Sequence, residues 1–472
     1  MSARARRVVV TTSYAVLGSI LCWSRLARFG GGYCCDEIRT VVDSVRTGPT
    51  TILTGAYTPN NHELFSLLGW TTSSVVGESE VALRLGAAIP FIVGVVVVTA
   101  WLHVRVGPLA AVLFLAFATV SPLLLDISRL ARGYGLAFLA MSVMTVAALE
   151  AIRSGRTWAV ATFWAAGVLG TWTLPHFAIA LAATAVVLLT RPDLRARCLV
   201  GGVLSLLAVV IWYAPHFDDI ATSSSQEYGN PIPTAWLLTA PFDQILLPAF
   251  TSLDETLVNP SLATLVAGAA FAILVASSPM LRQRESALVL CAGVVTTVIV
   301  FWITGTHVVP RFLSFLLVPL LVLMATGCAS IPERLFTKPA RVRTAVLLVV
   351  LAGVAVTSAP LLASVPLERR DSLREAAALI RDQAPISARV YAYMPYSADL
   401  AFHLGRPVHR VSRSADTAVV CEERTTTVLV AQPWFWPPPT VPSCAARRGT
   451  RHYRFEQYAR GKATDVWIIP AP

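Results

Sequence analysis

FGGGYCCDEIRTVVDSVRTGPTTILTGAYTPNNHELFSLLGW, residues 29–70, is a polar island between one apolar run and a long series of others. It holds the adjacent carboxylates Asp36 and Glu37 and a polar turn, Pro59-Asn60-Asn61-His62-Glu63. Few other places in the chain gather acid, amide and imidazole so closely. Two readings stand for the acid pair. It is either a set of solvated loop charges or a general base at the mouth of a helix bundle.

Working outward, the island is an outer loop only if its flanks cross a membrane. The chain of 472 residues is 55% hydrophobic and 14% charged, where a soluble domain carries roughly a quarter charged residues. Its mean hydropathy is +0.64. The formal net charge of +11 does not point to nucleic acid. The basic residues sit in short links between apolar runs and form no single soluble face. Lysine occurs only at Lys338 and Lys462, so arginine supplies nearly all the positive charge.

Residues 1–7 are basic and an apolar run follows to about Leu26. Trp23, Arg25 and Arg28 stand where a small-residue cleavage site would be, so the run reads as an uncleaved first helix with a cytoplasmic N-terminus. Further spans read at 86–104, 107–125, 134–152, 157–174, 176–190, 197–214, 261–279, 286–304, 310–329 and 342–362, about eleven in all. Only a tight turn at Pro175 separates 157–174 from 176–190. On this topology the inner links carry Arg105, Arg153, Arg156, Arg191, Arg195, Arg197, Arg282, Arg284, Arg334, Lys338, Arg341 and Arg343. The outer link 215–260 has no Lys or Arg but carries Asp218, Asp219, Glu227, Asp243, Asp254 and Glu255. This is the positive-inside pattern. Arg129, Arg132 and Arg311 break it, either by snorkelling to headgroups or by binding a phosphate with the guanidinium fork. The middle of link 215–260 is apolar but broken by proline, and reads as an interfacial segment.

After Pro366 the chain changes character. LERRDSLREAAALIRDQ reads as an amphipathic helix with Leu373, Ala376, Ala377 and Ile380 on one face. ARVYAYM, TTTVLVAQ and DVWIIPA read as strands. The sequence thus predicts an α-helical polytopic membrane bundle over 1–365, with outer loops 29–85 and 215–260, and a small extracytoplasmic α/β domain over 366–472. In that domain Cys421 and Cys444 are placed to form a disulfide. Cys22, Cys198, Cys291 and Cys328 read as small core residues, and the neighbours Cys34 and Cys35 are unsuited to pairing with each other. Trp434-Phe435-Trp436 and the prolines after it form a stiff aromatic segment.

No nucleotide loop, zinc-protease or nucleophile-elbow motif has usable context. What remains is a polar set at the outer ends of the helices: Asp36, Glu37, His62, Arg132, Tyr134, His176, His307 and Arg311. An acid pair after the first span, NNHELF, ARGYGL opening a helix, LPHF at a helix start and VPRFLSFLLVP near the last spans together resemble landmarks of one family. The chain resembles the polytopic C-type glycosyltransferases (GT-C fold), in the branch of protein O-mannosyltransferases, aminoarabinose transferases and RgtA/B/C/D-like enzymes. The resemblance covers about residues 10–330. NNHELF departs from the H-P-P-L-type turn common among relatives.

The resemblance implies a bacterial plasma-membrane enzyme that moves a sugar, mannose or another hexose or pentose, from a polyprenyl-phosphate donor to an extracytoplasmic glycan, lipid or protein, with inversion. Asp36 would be the general base and Glu37 would orient the acceptor or the sugar. Arg132 and Arg311 would hold the lipid phosphate, and His62, Tyr134, His176 and His307 would line the substrate pocket. A divalent metal at His62, His176 or His307 stays open, although no ligand spacing supports one. The rival class is a polytopic transporter or flippase for a lipid-linked or envelope precursor. Such proteins often show paired repeats and mid-span charges, whereas this sequence shows no repeat and spans almost free of charge.

Overall fold

A computed structural model describes residues 3–26, 36–55, 62–219, 275, 277–304, 310–335, 372–393, 397–411, 419–431, 443–446, 449–456 and 463–472. The chain falls into two compact units: Met1–Ala27 with Asp43–Leu362, and Arg28–Val42 with Ala363–Pro472. The described residues 36–42 therefore group with the C-terminal unit, whereas loop 29–85 is assigned to the bundle on sequence.

The first unit is helical. Its described helices are α1 (Ala3–Leu26), α3 (Pro49–Thr54), α4 (Glu63–Val76), α5 (Glu80–Arg105), α6 (Pro108–Val120), α7 (Pro122–Arg129), α8 (Tyr134–Ser154), α9 (Thr157–Thr173), α10 (Phe177–Leu189), α11 (Pro192–Tyr213), α12 (Arg284–Thr304) and α13 (Leu317–Leu335). The one-turn helix α2 (Asp36–Arg39) belongs to the second unit. Among the described residues six helices are long and apolar enough to cross a membrane, or seven if the bent pair α6–α7 counts as one. The expected spans 261–279 and 342–362 lie mostly or wholly outside the described residues.

Two readings change. The run 176–190 becomes α10, with 13 residues. At 1.5 Å per residue it is about 20 Å long, short of a hydrocarbon core of about 30 Å. The run 107–125 is bent by 68° between α6 and α7. Pro122 lacks the N–H that would bond the Ala118 carbonyl, so the helix cannot continue. Ser121 turns extended and its side chain accepts from the Leu124 N–H at 3.3 Å. Arg25, at the end of α1, takes up the freed carbonyls: it donates to Ala118 O and Thr119 O, each at 2.8 Å. This fully buried guanidinium also lies 5.5 Å from the centre of the Phe91 ring. A cation at a helix C-terminus is favoured by the dipole, so an arginine that looks misplaced in the sequence is a structural cap.

One apolar core runs through the unit, from Leu17 and Leu21 through Phe91, Phe114 and Phe138 to Phe177 and Phe315. Small residues set how closely its helices pack. A Cβ on Gly135 of α8 would stand 2.0 Å from the Ala87 carbonyl oxygen of α5. At the arginine-rich helix ends, Arg105 clasps Glu150 through two bonds of 2.7 and 2.8 Å, and the Trp101 indole adds a third at 3.0 Å. Arg191 binds Glu285 and Asp193 there.

The second unit holds a five-stranded mixed sheet: β1 (Arg389–Tyr393), β2 (His409–Arg410), β3 (Thr427–Ala431), β4 (Arg451–Glu456) and β5 (Ala463–Ile469), in the order β2-β1-β3-β5-β4. β1 runs parallel to β2 and β3, while β5 is antiparallel to β3 and β4. The three strands read from sequence are β1, β3 and β5. β2 and β4 were not read, because one is two residues long and the other, RHYRFE, is mostly polar. Every residue of β3 is buried, as a central strand covered on both faces requires. α14 (Ser372–Gln383) lays Leu373, Ala376, Ala377 and Ile380 on the sheet, all nearly inaccessible. α15 (Ser397–Leu404) packs against β1 and against α2.

Cys421 and Cys444 are joined, as expected. With a sequence separation of 23, the closed loop is worth about 3 kcal/mol on a chain-entropy basis. Replacing both by alanine is expected to lower the thermal midpoint of the protein's C-terminal unit. Unchanged melting, followed by the near-ultraviolet signal of Trp467, would show that the bridge adds nothing. Cys198 is buried and free, whereas Cys22, Cys291 and Cys328 are free and half-buried.

Candidate functional site

The polar cluster of the first unit is built where α4 and α8 begin. The carbonyl of His62 accepts from the Ser66 N–H at 2.8 Å, which fixes the backbone at the entrance to α4. His62 is 1% exposed. Its Nε2 stands 2.5 Å from Arg132 Nη2. A guanidinium only donates, so Nε2 must hold the lone pair. His62 is then neutral, with its proton on Nδ1.

Arg132 itself is 1% exposed and sits in the turn just before α8. Its N–H bonds the Leu130 carbonyl at 2.7 Å, which curls the chain back after α7. The guanidinium carbon lies 5.6 Å from the centre of the Tyr134 ring, and His62 meets that ring edge-on at 4.9 Å. Gly133, between them, has no room for a side chain. A Cβ there would stand 2.7 Å from His62 Nδ1 and 2.6 Å from Thr173 Cγ2. The spacing Arg-Gly-Tyr thus has a packing reason: the glycine lets the histidine close on the arginine.

His176 is reached through an aromatic step. Tyr134 stacks with Phe312 at 6.5 Å, and His176 Nε2 donates to the Phe312 carbonyl at 2.8 Å. Phe301 and Phe315 also face the His176 ring. Arg311 lies in the short turn Pro310–Leu316, whose backbone is described, but its side chain lies outside the described residues, as do His307 and Cys34, Cys35, Asn60 and Asn61. Link 215–260 is described only through Asp219, and Trp434-Phe435-Trp436 is likewise outside. Asp36 and Glu37 form α2 in the second unit. There Glu37 is 1% exposed and Asp36 is half-buried, and the Asp36 carbonyl accepts from Thr40 Oγ1 at 3.0 Å. Burial of Glu37 does not fit a solvated loop charge.

Sequence reading left three residues out. Glu63 is 1% exposed; its Oε2 accepts from the Trp212 indole at 2.5 Å and its Oε1 lies 3.1 Å from His216 Nε2. Burial pushes the Glu63 carboxyl up to about 7, with the Trp212 N–H pulling the other way. Trp212 stacks on Trp172 at 4.3 Å. The sign available in the sequence was a polar residue at the end of each flank: Glu63 beside His62, and His216 just past α11. Among the described residues no group of three or more His, Cys, Asp or Glu could hold a metal ion.

No protein-family model and no curated protein sequence matches the chain. Its fold does have solved counterparts. ArnT from Cupriavidus metallidurans in the apo state superposes with a TM-score of 0.65 at 13% identity, covering 98% of each chain. The same protein bound to undecaprenyl phosphate gives 0.58 over the same shares at 13% identity. The archaeal oligosaccharyltransferase AglB from Archaeoglobus fulgidus, in complex with an inhibitory peptide and a dolichol-phosphate, gives 0.56 at 10% identity, covering 90% of this chain and 70% of that one. ArnT, an aminoarabinose transferase, and AglB are both built on one membrane architecture, and the fold of this chain is that architecture, GT-C.

Proposed function

We propose that the protein is a polytopic membrane glycosyltransferase that moves a sugar from a polyprenyl-phosphate donor to an extracytoplasmic acceptor, with inversion. The observation that carries this reading is the buried Arg132–His62–Tyr134 cluster at the start of α8, in a chain of GT-C fold. A guanidinium held off water beside a neutral imidazole and an aromatic face suits a phosphate that leaves with an extra charge. Solved structures of ArnT and AglB with undecaprenyl phosphate and dolichol-phosphate support a lipid-phosphate ligand.

In this reading Asp36 takes the proton of the acceptor hydroxyl, and the oxygen attacks the anomeric carbon. The bond from that carbon to the phosphate oxygen breaks on the opposite face, so configuration inverts. The electron pair departs on the polyprenyl phosphate, which Arg132 and Arg311 stabilise. Glu37 orients the acceptor or the sugar. His62, Tyr134, His176 and His307 line the substrate pocket. The sugar is a hexose or pentose, mannose among them, and the acceptor a glycan, lipid or protein of the cell envelope. Transfer of radiolabel from a polyprenyl-phosphate sugar by membranes carrying the full chain tests this. Binding of the lipid without transfer would favour transport instead.

The same reading sets a bacterial plasma-membrane topology with about eleven spans, a cytoplasmic N-terminus and the C-terminal unit outside. The charge asymmetry of the links supports it. Cysteines placed in link 215–260 and in the C-terminal unit are expected to react with an impermeant maleimide on intact cells. A cysteine at Ser154 should react only after permeabilisation. A C-terminal unit labelled solely from the cytoplasm would overturn the topology.

A further inference from the structure

The mechanism above makes no use of Glu63 and His216, yet both are about 1% exposed and lie 3.1 Å apart. Glu63 opens α4 directly after His62, and His216 closes the short turn that follows α11. They are far apart in sequence and bring the start of α4, inside loop 29–85, against the start of link 215–260. The Trp212 indole holds the second carboxyl oxygen at 2.5 Å, and Tyr213 anchors the same helix end by donating to Thr171 O at 2.7 Å. Both Glu63 oxygens thus face α11 and the turn after it.

We propose that Glu63, bonded by the Trp212 indole and set against His216, is a positioning residue that through helix α4 holds His62 against Arg132. The inference rests on the phosphate-binding reading of Arg132 and adds to it the device that sets the geometry of the clamp. The physical argument is one of charge. A buried carboxylate is costly, and a proton kept on Glu63 leaves that residue neutral. The other elements packed on α4 bring few charges. The buried Arg84 comes from α5, and Arg46, from the turn before α3, is clasped by Glu78. α3 and α9 bring no titratable side chain. Burial moves Glu63 from its ordinary 4.5 to about 7, in keeping with a proton retained in the fold. The sign follows. A carboxyl whose folded value is raised stabilises the fold fully below pH 4.5, and that contribution is lost as pH rises through about 7.

The test uses the full-length protein in detergent micelles with undecaprenyl phosphate as the probe. Glu63→Gln keeps an acceptor for Trp212 and a polar contact to His216 but cannot titrate. The thermal midpoint of the wild type relative to Glu63→Gln is expected to fall between about pH 4.5 and 7. A difference that stays flat across that window overturns the proton retained on Glu63. At pH 6, Glu63→Ala is expected to weaken lipid-phosphate binding roughly tenfold, the cost of misplacing one charge-assisted contact. Glu63→Gln is expected to recover most of that loss, which separates positioning from a direct charge effect. Wild-type affinity in a folded Glu63→Ala protein overturns the positioning role alone. No binding by the wild type overturns the lipid-phosphate reading, and the positioning role with it. If Glu63→Ala does not fold, Glu63→Asp, whose shorter side chain loses the tie to the Trp212 indole, takes its place, and wild-type affinity in it overturns the positioning role.

Discussion

Asp36→Asn is expected to slow sugar transfer roughly 10²–10⁴-fold, the usual range for loss of a general base, while the lipid donor still binds. Asparagine keeps the size and hydrogen-bonding capacity of the side chain but cannot accept the acceptor's proton. Arg132→Ala should show the other pattern. It removes a buried guanidinium that contacts His62 and the Tyr134 face, so donor affinity should fall along with the rate. Affinity and turnover, measured on one preparation of each variant, separate the base from the phosphate clamp. The acid pair and the clamp residue stand in different compact units of the chain, which makes the comparison a test of each unit's part. Near-normal transfer by folded, inserted Asp36→Asn protein would remove Asp36 from the chemistry.

The second large effect is a packing one. Gly135→Ala places a methyl carbon 2.0 Å from the backbone oxygen of Ala87. No rotamer change relieves a clash with a main-chain atom, so α5 and α8 must move apart. Overpacking of this kind costs about 1–3 kcal/mol and sometimes more, and the strain falls next to Tyr134. A marked drop in thermal midpoint is expected, together with loss of donor binding. Gly77→Ala serves as the control of opposite kind, since its space is open and only its positive φ of 85° resists substitution. If Gly135→Ala melts like the wild type, the close approach of α5 and α8 is wrong.

The outcome at particular residues shows how much was legible in the linear chain. Apolar runs at the spacing of a bilayer are a local property. For that reason 86–104, 134–152 and 286–304 became the helices Glu80–Arg105, Tyr134–Ser154 and Arg284–Thr304. The helix face of Leu373, Ala376, Ala377 and Ile380 was equally local, since period alone determines it. The GT-C architecture followed from the order of short motifs. Arg132, Tyr134 and His62 could be chosen because polar groups beside long apolar runs need a reason to be there.

Other features exist only in three dimensions. Arg25 looks like a flanking charge until Pro122, nearly a hundred positions on, frees the Ala118 carbonyl that it caps. Glu63 looks like a loop acid until α11 brings Trp212 and His216 against it. Asp36 and Glu37 look like part of the bundle's first loop, yet α2 packs on α15 of the C-terminal unit. Sequence by itself determined the membrane class and the run of helices, because hydropathy and period act over a few turns. Which side chains meet was decided by the tertiary structure alone. Contacts between residues 70 or more positions apart depend on how helices bend and pack, and local pattern carries no record of that.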